Sequence, residues 1–241
     1  MISDTDDPIG DILRNLPERL NVVKRGINPD VQQAYLEYAD CIDSDEYADQ
    51  NAIVKGQKLL SAETSLQEKK KYLVLLAREG TAEACLMIDK FVETADQALA
   101  DWAILALETC WLLTESRLFD KEMGMLVSGL GGEDDRLRYF FAVPSKDGLV
   151  LTDAHQKELE QAFVRACNRF DSIMEEFQVH REYITLRLLI PQDVAVATVI
   201  EGGIAESNQN SQLLHPDYFV TNTNIPTDEE ILHYVRRLTG D

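Results

Sequence analysis

A chain of 241 residues, 45% of them hydrophobic and 27% charged, is long enough to bury a substantial core and too rich in apolar side chains to be a disordered tail. Asp plus Glu outnumber Lys plus Arg by 43 to 23, a net charge of −20, which repels nucleic-acid phosphates and anionic lipid head groups over about a Debye length. Composition therefore argues against nucleic acid and membrane surfaces as partners. Residues 1–120 hold 12 basic and 23 acidic side chains and the remainder 11 and 20, so neither half is a basic arm.

No stretch of about 18 apolar residues occurs, and the opening MISDTDDPIGD has neither the basic start nor the apolar run of a signal peptide. The expectation is a cytoplasmic protein. Cys41, Cys85, Cys110 and Cys167 lie 44, 25 and 57 positions apart, with no C-x-x-C and no Cys/His pairing at metal-ligand spacing. They are expected as reduced core thiols, with no metal and no cofactor.

The first 62 residues carry short helical patterns broken by Pro8, Pro17 and Pro29, with Asn28 placed to cap PDVQQAYLEYADCI. The acidic DSDEYADQNAIV from Asp43 invites comparison with a calcium loop. Ala48 holds the loop's glycine position and Val54 its bidentate glutamate, so a calcium site is rejected. Ser65 and Glu68 form an S-x-x-E capping box, Gly80 ends that helix after Glu79, and Thr81 caps the next. A third helix from near Asp96 contains DWAILALETCWLLT, apolar almost all round. It is expected to be covered on most sides, with Trp102 or Trp111 between the two halves or deep in the helical one. Residues up to about 118 are expected to be helical.

After Asp120 the hydrophobic period changes from 3.6 to 2. Met123, Met125 and Val127 predict one strand, Leu137, Tyr139, Phe141 and Val143 a second, and Leu186, Leu188 and Ile190 a third. Between the second and third, Leu159, Phe163, Ala166, Phe170, Ile173 and Phe177 keep helical spacing and predict one long helix. A helix from Asp193 to about Asn208, a strand in YFVTNTN, and a helix from Thr227 to Leu238 follow, the last boxed by Thr227 and Glu230 and stopped by Gly240. The order ββαβαβα predicts an α+β fold. An all-helical domain, residues 1–119, precedes a mixed-sheet domain, residues 120–241, with at least four strands and helices packed on the sheet.

KYLVLLARE at 71–79 aligns with DWAILALET at 101–109 in aromatic and aliphatic positions. Together with ETADQALADWAILALE, residues 64–117 resemble HEAT-like helical hairpins, which implies a protein-contact scaffold. The D-W-A-x-L-A-L helix combined with SGLGG and L-R-Y-F also looks like a group of bacterial proteins of unknown activity, over residues 64–241. That resemblance implies architecture and no reaction.

SGLGGEDDRLRYFF, residues 128–141, raises the question of a phosphate cradle. Such loops lead from a strand into a helix, whereas this one leads from strand to strand and is followed by Glu133, Asp134 and Asp135. Gly129, Gly131 and Gly132 are weighed as ligand-binding candidates and read chiefly as setting hairpin geometry. Arg138 and Arg187 fall on alternate strand positions and form the best candidate pair for an anion, against the plainer reading that they pair with acidic residues of a neighbouring helix or of the helical half. His155, His180, His215 and His233 are scattered and make no catalytic motif. Gly202 and Gly203 interrupt an apolar helix and suggest a close approach. VTNTNIP, residues 220–226, reads as a strand edge kept hydrophilic. Glu175 with Glu176, and Glu229 with Glu230, read as solvated faces.

The first-ranked function is a non-enzymatic cytoplasmic interaction or scaffold protein with a protein partner, a homodimer included, and no catalytic residues. The alternatives are a regulatory sensor binding a small anionic metabolite near Arg138 and Arg187, and an enzyme of undetermined class whose site is assembled from distant residues.

Overall fold

The computed structural model describes residue 17 and residues 19–42, 51–209 and 211–239. Pro8, residues 43–50 of the rejected calcium loop and Gly240 lie outside the described residues. The chain divides into two compact units, one containing residues 30–126 with the chain up to Asn21, the other residues 22–29 with Val127 onward.

The first unit holds strand β1 (Arg19–Val22, its last residue belonging to the second unit), helices α1 (Pro29–Cys41, its first residue belonging to the second unit), α2 (Ala52–Leu60), α3 (Leu66–Glu79), α4 (Ala82–Val92) and α5 (Gln97–Phe119), and strand β2 (Met123–Leu126). Local chemistry sets the helix ends. Ser65 and Glu68 close a reciprocal capping box, Gly80 ends α3 at φ 52, and Thr81 and Asp96 accept from the backbone amides of Ala84 and Leu99. Arg117 donates to the carbonyls of Glu79 and Gly80, satisfying α3's C-terminus. Five consecutive residues of α5, Trp102 to Ala106, are buried, whereas Leu118 and Phe119 at its end are exposed. The expected all-round cover therefore holds for the helix's first half only. The expectation of a wholly helical start is corrected: β1 pairs with β2. Four residues, RLNV, are too short to display a period, and their partner strand lies about a hundred positions downstream.

The second unit holds β3 (Gly132–Glu133), β4 (Arg136–Pro144), α6 (Asp153–Arg169), β5 (Ile173–Val179), β6 (Tyr183–Pro191), α7 (Val196–Ser207), β7 (Phe219–Thr221) and α8 (Asp228–Thr239). β4-α6-β5-β6-α7-β7 is the split β-α-β connection of ferredoxin-like folds, with strand order β7-β4-β6-β5 and β3 added beside the start of β4. Every pairing in this five-stranded sheet is antiparallel. Three expectations change. The sheet is antiparallel rather than mixed, β2 is not part of it, and the connection order is the ferredoxin-like one because β5 stands where a helix was expected. Ile173 and Phe177 continue the helical spacing of α6 by coincidence, but the chain reverses before them. Phe170 caps α6, Asp171 takes φ 50, and the amide of Ser172 returns to Cys167 O at 2.9 Å. An aspartate rather than a glycine occupies the left-handed position, so the usual sequence mark of a helix end is missing.

Alternation along β4 and β6 sorts the two sheet faces. Phe141, Val143, Ile184, Leu186, Leu188 and Ile190 face α6 and α7 and pack with Phe163, Leu159, Val199 and Ile200. Phe140, Ala142 and Tyr183 face the other way and pack under Ile231 and Val235 of α8. The amphipathic last helix thus covers only part of the second face, and what it leaves uncovered is the site described next.

Candidate functional site

SGLGG is a crossing of three backbone segments. The amide of Ile27 donates to Ser128 O at 3.1 Å, that of Gly132 to Lys24 O at 3.2 Å, and that of Leu130 to Asn222 O at 3.0 Å. A Cβ on Gly129 would lie 1.7 Å from Thr223 O, and one on Gly131, at φ +67, 2.2 Å from Lys24 O. The tight reversal itself is made by Asp134 and Asp135, between the paired residues Glu133 and Arg136. The amides that a phosphate would need are therefore turned to backbone carbonyls, and Gly129, Gly131 and Gly132 admit neighbouring backbone.

Arg138 and Arg187 stand on the α8 side of the sheet and meet over Glu175. Arg138 grips Glu175 bidentately, Nε to Oε2 at 2.6 Å and Nη2 to Oε1 at 2.7 Å, while Nη1 donates to Leu130 O at 2.8 Å. Arg187 Nη2 lies 3.2 Å from Glu176 Oε2. Its Nε is buried 3.3 Å from Glu175 Oε2, an ion-pair distance whose alignment is too poor for a hydrogen bond. The pairing register slips between Met174 and Glu176, a bulge in β5. That extra residue lets two consecutive glutamates serve one sheet face, where a regular strand would send them to opposite sides. Arg138 holds the Glu175 carboxyl below the usual carboxylate range, helped by Arg187, and Glu175 in turn raises Arg138. Both guanidiniums already hold carboxylates, and these come from strand β5 rather than from a neighbouring helix or the helical half.

Beside this cluster, between the sheet and the start of α8, lies a cavity of about 310 Å³. Phe140, Ile225, Pro226 and Ile231 supply its apolar surface, and Glu176, Gln178, His180, Thr185, Arg187 and Asp228 its polar groups. His180 stacks on Tyr183, with ring centroids 4.3 Å apart and planes 14° from parallel, and its Nε2 lies 3.3 Å from Thr185 Oγ1. Burial lowers the His180 pKa against the opposing pull of Asp228, keeping the imidazole neutral at pH 7. Sequence reading missed His180, Thr185, Gln178 and Asp228 as a group, since they come from two strands, a hairpin and a helix start. His155, His215 and His233 are absent from this cavity. Among the described residues no group of three or more His, Cys, Asp or Glu side chains is placed to hold a metal ion, and no helix is long and apolar enough to cross a membrane.

No family model matches the chain, and no curated protein matches it. Solved structures similar to it include a putative transposase from Deinococcus radiodurans R1, at 17% identity and a TM-score of 0.38, the match covering 43% of this chain and 91% of that one. Another is a REP-associated tyrosine transposase bound to a REP hairpin, at 13% identity and a TM-score of 0.32, covering 42% of this chain and 63% of that one. At scores this low, residue roles in this chain rest on its own geometry. Both of these similar structures are transposases and one is bound to a hairpin, the opposite of the expected non-enzymatic scaffold without a nucleic-acid partner. That reading is withdrawn. Net charge averages over the whole surface and says little about one cavity, and a missing linear motif says little about groups brought together from separate strands.

Proposed function

We propose that the second unit recognises a nucleobase of a single-stranded nucleic acid in the cavity between Phe140, Arg187 and Asp228. One observation carries this reading: an apolar floor ringed by hydrogen-bonding groups of both kinds, on the part of the five-stranded antiparallel sheet's second face that α8 leaves uncovered. Sheets of this shape present single-stranded bases with stacking surface and base-edge contacts on the face away from their helices. Gln178 and Arg187 supply donors, while Glu176 and Asp228 supply carboxylate acceptors suited to an exocyclic amino group. Those same carboxylates repel a phosphate, so the base enters the cavity and the backbone stays outside.

Fluorescence anisotropy of the full chain with labelled single-stranded homopolymers, and competition by free nucleosides, tests the reading. Saturable binding weakened tenfold or more by Arg187→Ala and by Gln178→Ala is the expected result. Because few phosphates are neutralised, affinity changes little between low and moderate salt. Competition by nucleosides as effective as by oligonucleotides would shift the ligand to the free base. Absence of saturable binding, or variants that bind like the parent chain, overturns the proposal.

A further inference from the structure

Helices α4 and α5 set two thiols side by side in the core of the first unit. Cys85 Sγ and Cys110 Sγ lie 2.8 Å apart, between the ~2.05 Å of a disulfide bond and an ordinary nonbonded contact. Both residues are fully buried. Thr114 Oγ1 lies 3.6 Å from Cys85 Sγ, and the Cys110 thiol is directed at the carbonyls of Leu76 and Thr81, at 3.7 and 3.8 Å. No chain movement on the scale of a helix is needed to bring the sulfurs into bonding range. Cys41 is exposed, and Cys167 belongs to the other unit.

We propose that Cys85 and Cys110 are a dithiol–disulfide couple, closed by a peroxide oxidant into a bond that ties α4 to α5. In the first step peroxide transfers an oxygen atom to one sulfur, giving a sulfenic acid and water. In the second the neighbouring thiol attacks that sulfur, the S–S bond forms, and a second water leaves with the sulfenic oxygen and the attacking thiol's proton. Two thiols lose two electrons and two protons in all, and one peroxide is reduced to two waters. Burial pushes the Cys110 thiol up to about 12, so reactive thiolate is scarce and the first step waits on local opening of the hairpin. Once one sulfur is oxidised, the short separation favours cross-linking over further oxidation. The bond joins residues 25 positions apart, so it restrains the unfolded chain and raises the melting temperature.

The test uses the full chain carrying Cys41→Ser, treated with hydrogen peroxide, denatured, alkylated and mapped by peptide mass spectrometry. A linked Cys85–Cys110 peptide should appear slowly, lighter by two hydrogens than its separate parts, with a melting temperature raised by several degrees and reversed by dithiothreitol. Cys110→Ala, which keeps a small apolar side chain, should lose the link and the temperature rise together. If that variant does not fold, the map of the parent chain alone decides. Three alkylatable thiols remaining after treatment, a link through Cys167, or sulfinic acid at Cys85 without a link overturns the proposal.

Discussion

Arg138 on β4 and Glu175 on β5 form a two-point ion pair across β6, the strand between theirs, with contacts of 2.6 and 2.7 Å. The pair ties three strands through side chains as well as through the backbone ladder. It also fixes the carboxylate that Arg187 leans on, and so the wall of the cavity.

Glu175→Gln should therefore lower stability by about 1–2 kcal/mol at pH 7, the larger end reduced by solvent screening of a partly exposed pair. The sign with pH follows from the lowered folded pKa of Glu175. Its contribution is complete above the unfolded carboxylate value, near ~4.3, and disappears as pH falls through the folded value. Urea denaturation of both chains from pH 7 to pH 3 should show their stabilities converging at the acid end. A constant difference would refute the pairing.

Gly131 and Gly148 have nearly the same backbone, φ +67 and +68, in opposite surroundings. An added Cβ at Gly131 meets the Lys24 carbonyl and the Arg25–Gly26 peptide, while at Gly148 it meets nothing within 4 Å. Gly148→Ala should cost about 1–2 kcal/mol from left-handed strain alone. Gly131→Ala should cost about 1–3 kcal/mol more, from overlap with backbone that cannot rotate away. Equal losses would mean the three-segment crossing is looser than described.

Adjacent glycines of α7 divide in the same manner. At Gly203 a Cβ would lie 2.2 Å from the Phe163 ring, whereas at Gly202 the nearest atoms are 3.8 Å away. Gly202→Ala should stabilise the chain by about 1 kcal/mol through helix propensity, and Gly203→Ala should destabilise it by about 1–3 kcal/mol by parting α6 from α7. Thermal melts of the two single variants are enough to check the opposite signs.

Trp102 is buried between Tyr35 and Tyr38, with ring centroids 5.3 and 5.6 Å away, and has the Lys70 ammonium 4.1 Å over its ring. Trp102→Ala should cost about 3–5 kcal/mol. Trp111, 43% exposed on the same helix, should cost under about 1 kcal/mol when truncated. Trp102 Nε1 is buried with no hydrogen-bond partner, so Trp102→Phe should be milder than truncation. Denaturation midpoints for the three variants give the order.

The legible features were those whose partners are near in sequence. Ser65 with Glu68 and Thr227 with Glu230 make their boxes within three residues, and period-2 alternation placed β4 and β6. Features fixed by distant partners left no such mark. β5 was hidden because Asp171, not a glycine, reverses the chain. Arg138 and Arg187 were legible as a pair on one face, but Glu175 and Glu176 were not legible as their counter-ions, because the bulge that turns both to that face depends on how β5 registers against β6. The cavity was out of reach for the same reason, its polar groups being separated by up to about fifty residues of chain.

The short stretch from Val22 to Pro29 belongs with the second unit although residues 30–126 follow it in the chain. During synthesis Lys24 and Ile27 therefore emerge about a hundred residues before Ser128 and Gly132, the groups that complete their hydrogen bonds, and at ordinary elongation rates they wait several seconds. The helical unit can condense in that interval on contacts close in sequence, while the sheet unit must retain an early strap for a late partner. A ribosome-bound chain stalled so that residue 126 has just cleared the exit tunnel should accordingly protect α3–α5 from protease and leave residues 22–29 open to cleavage.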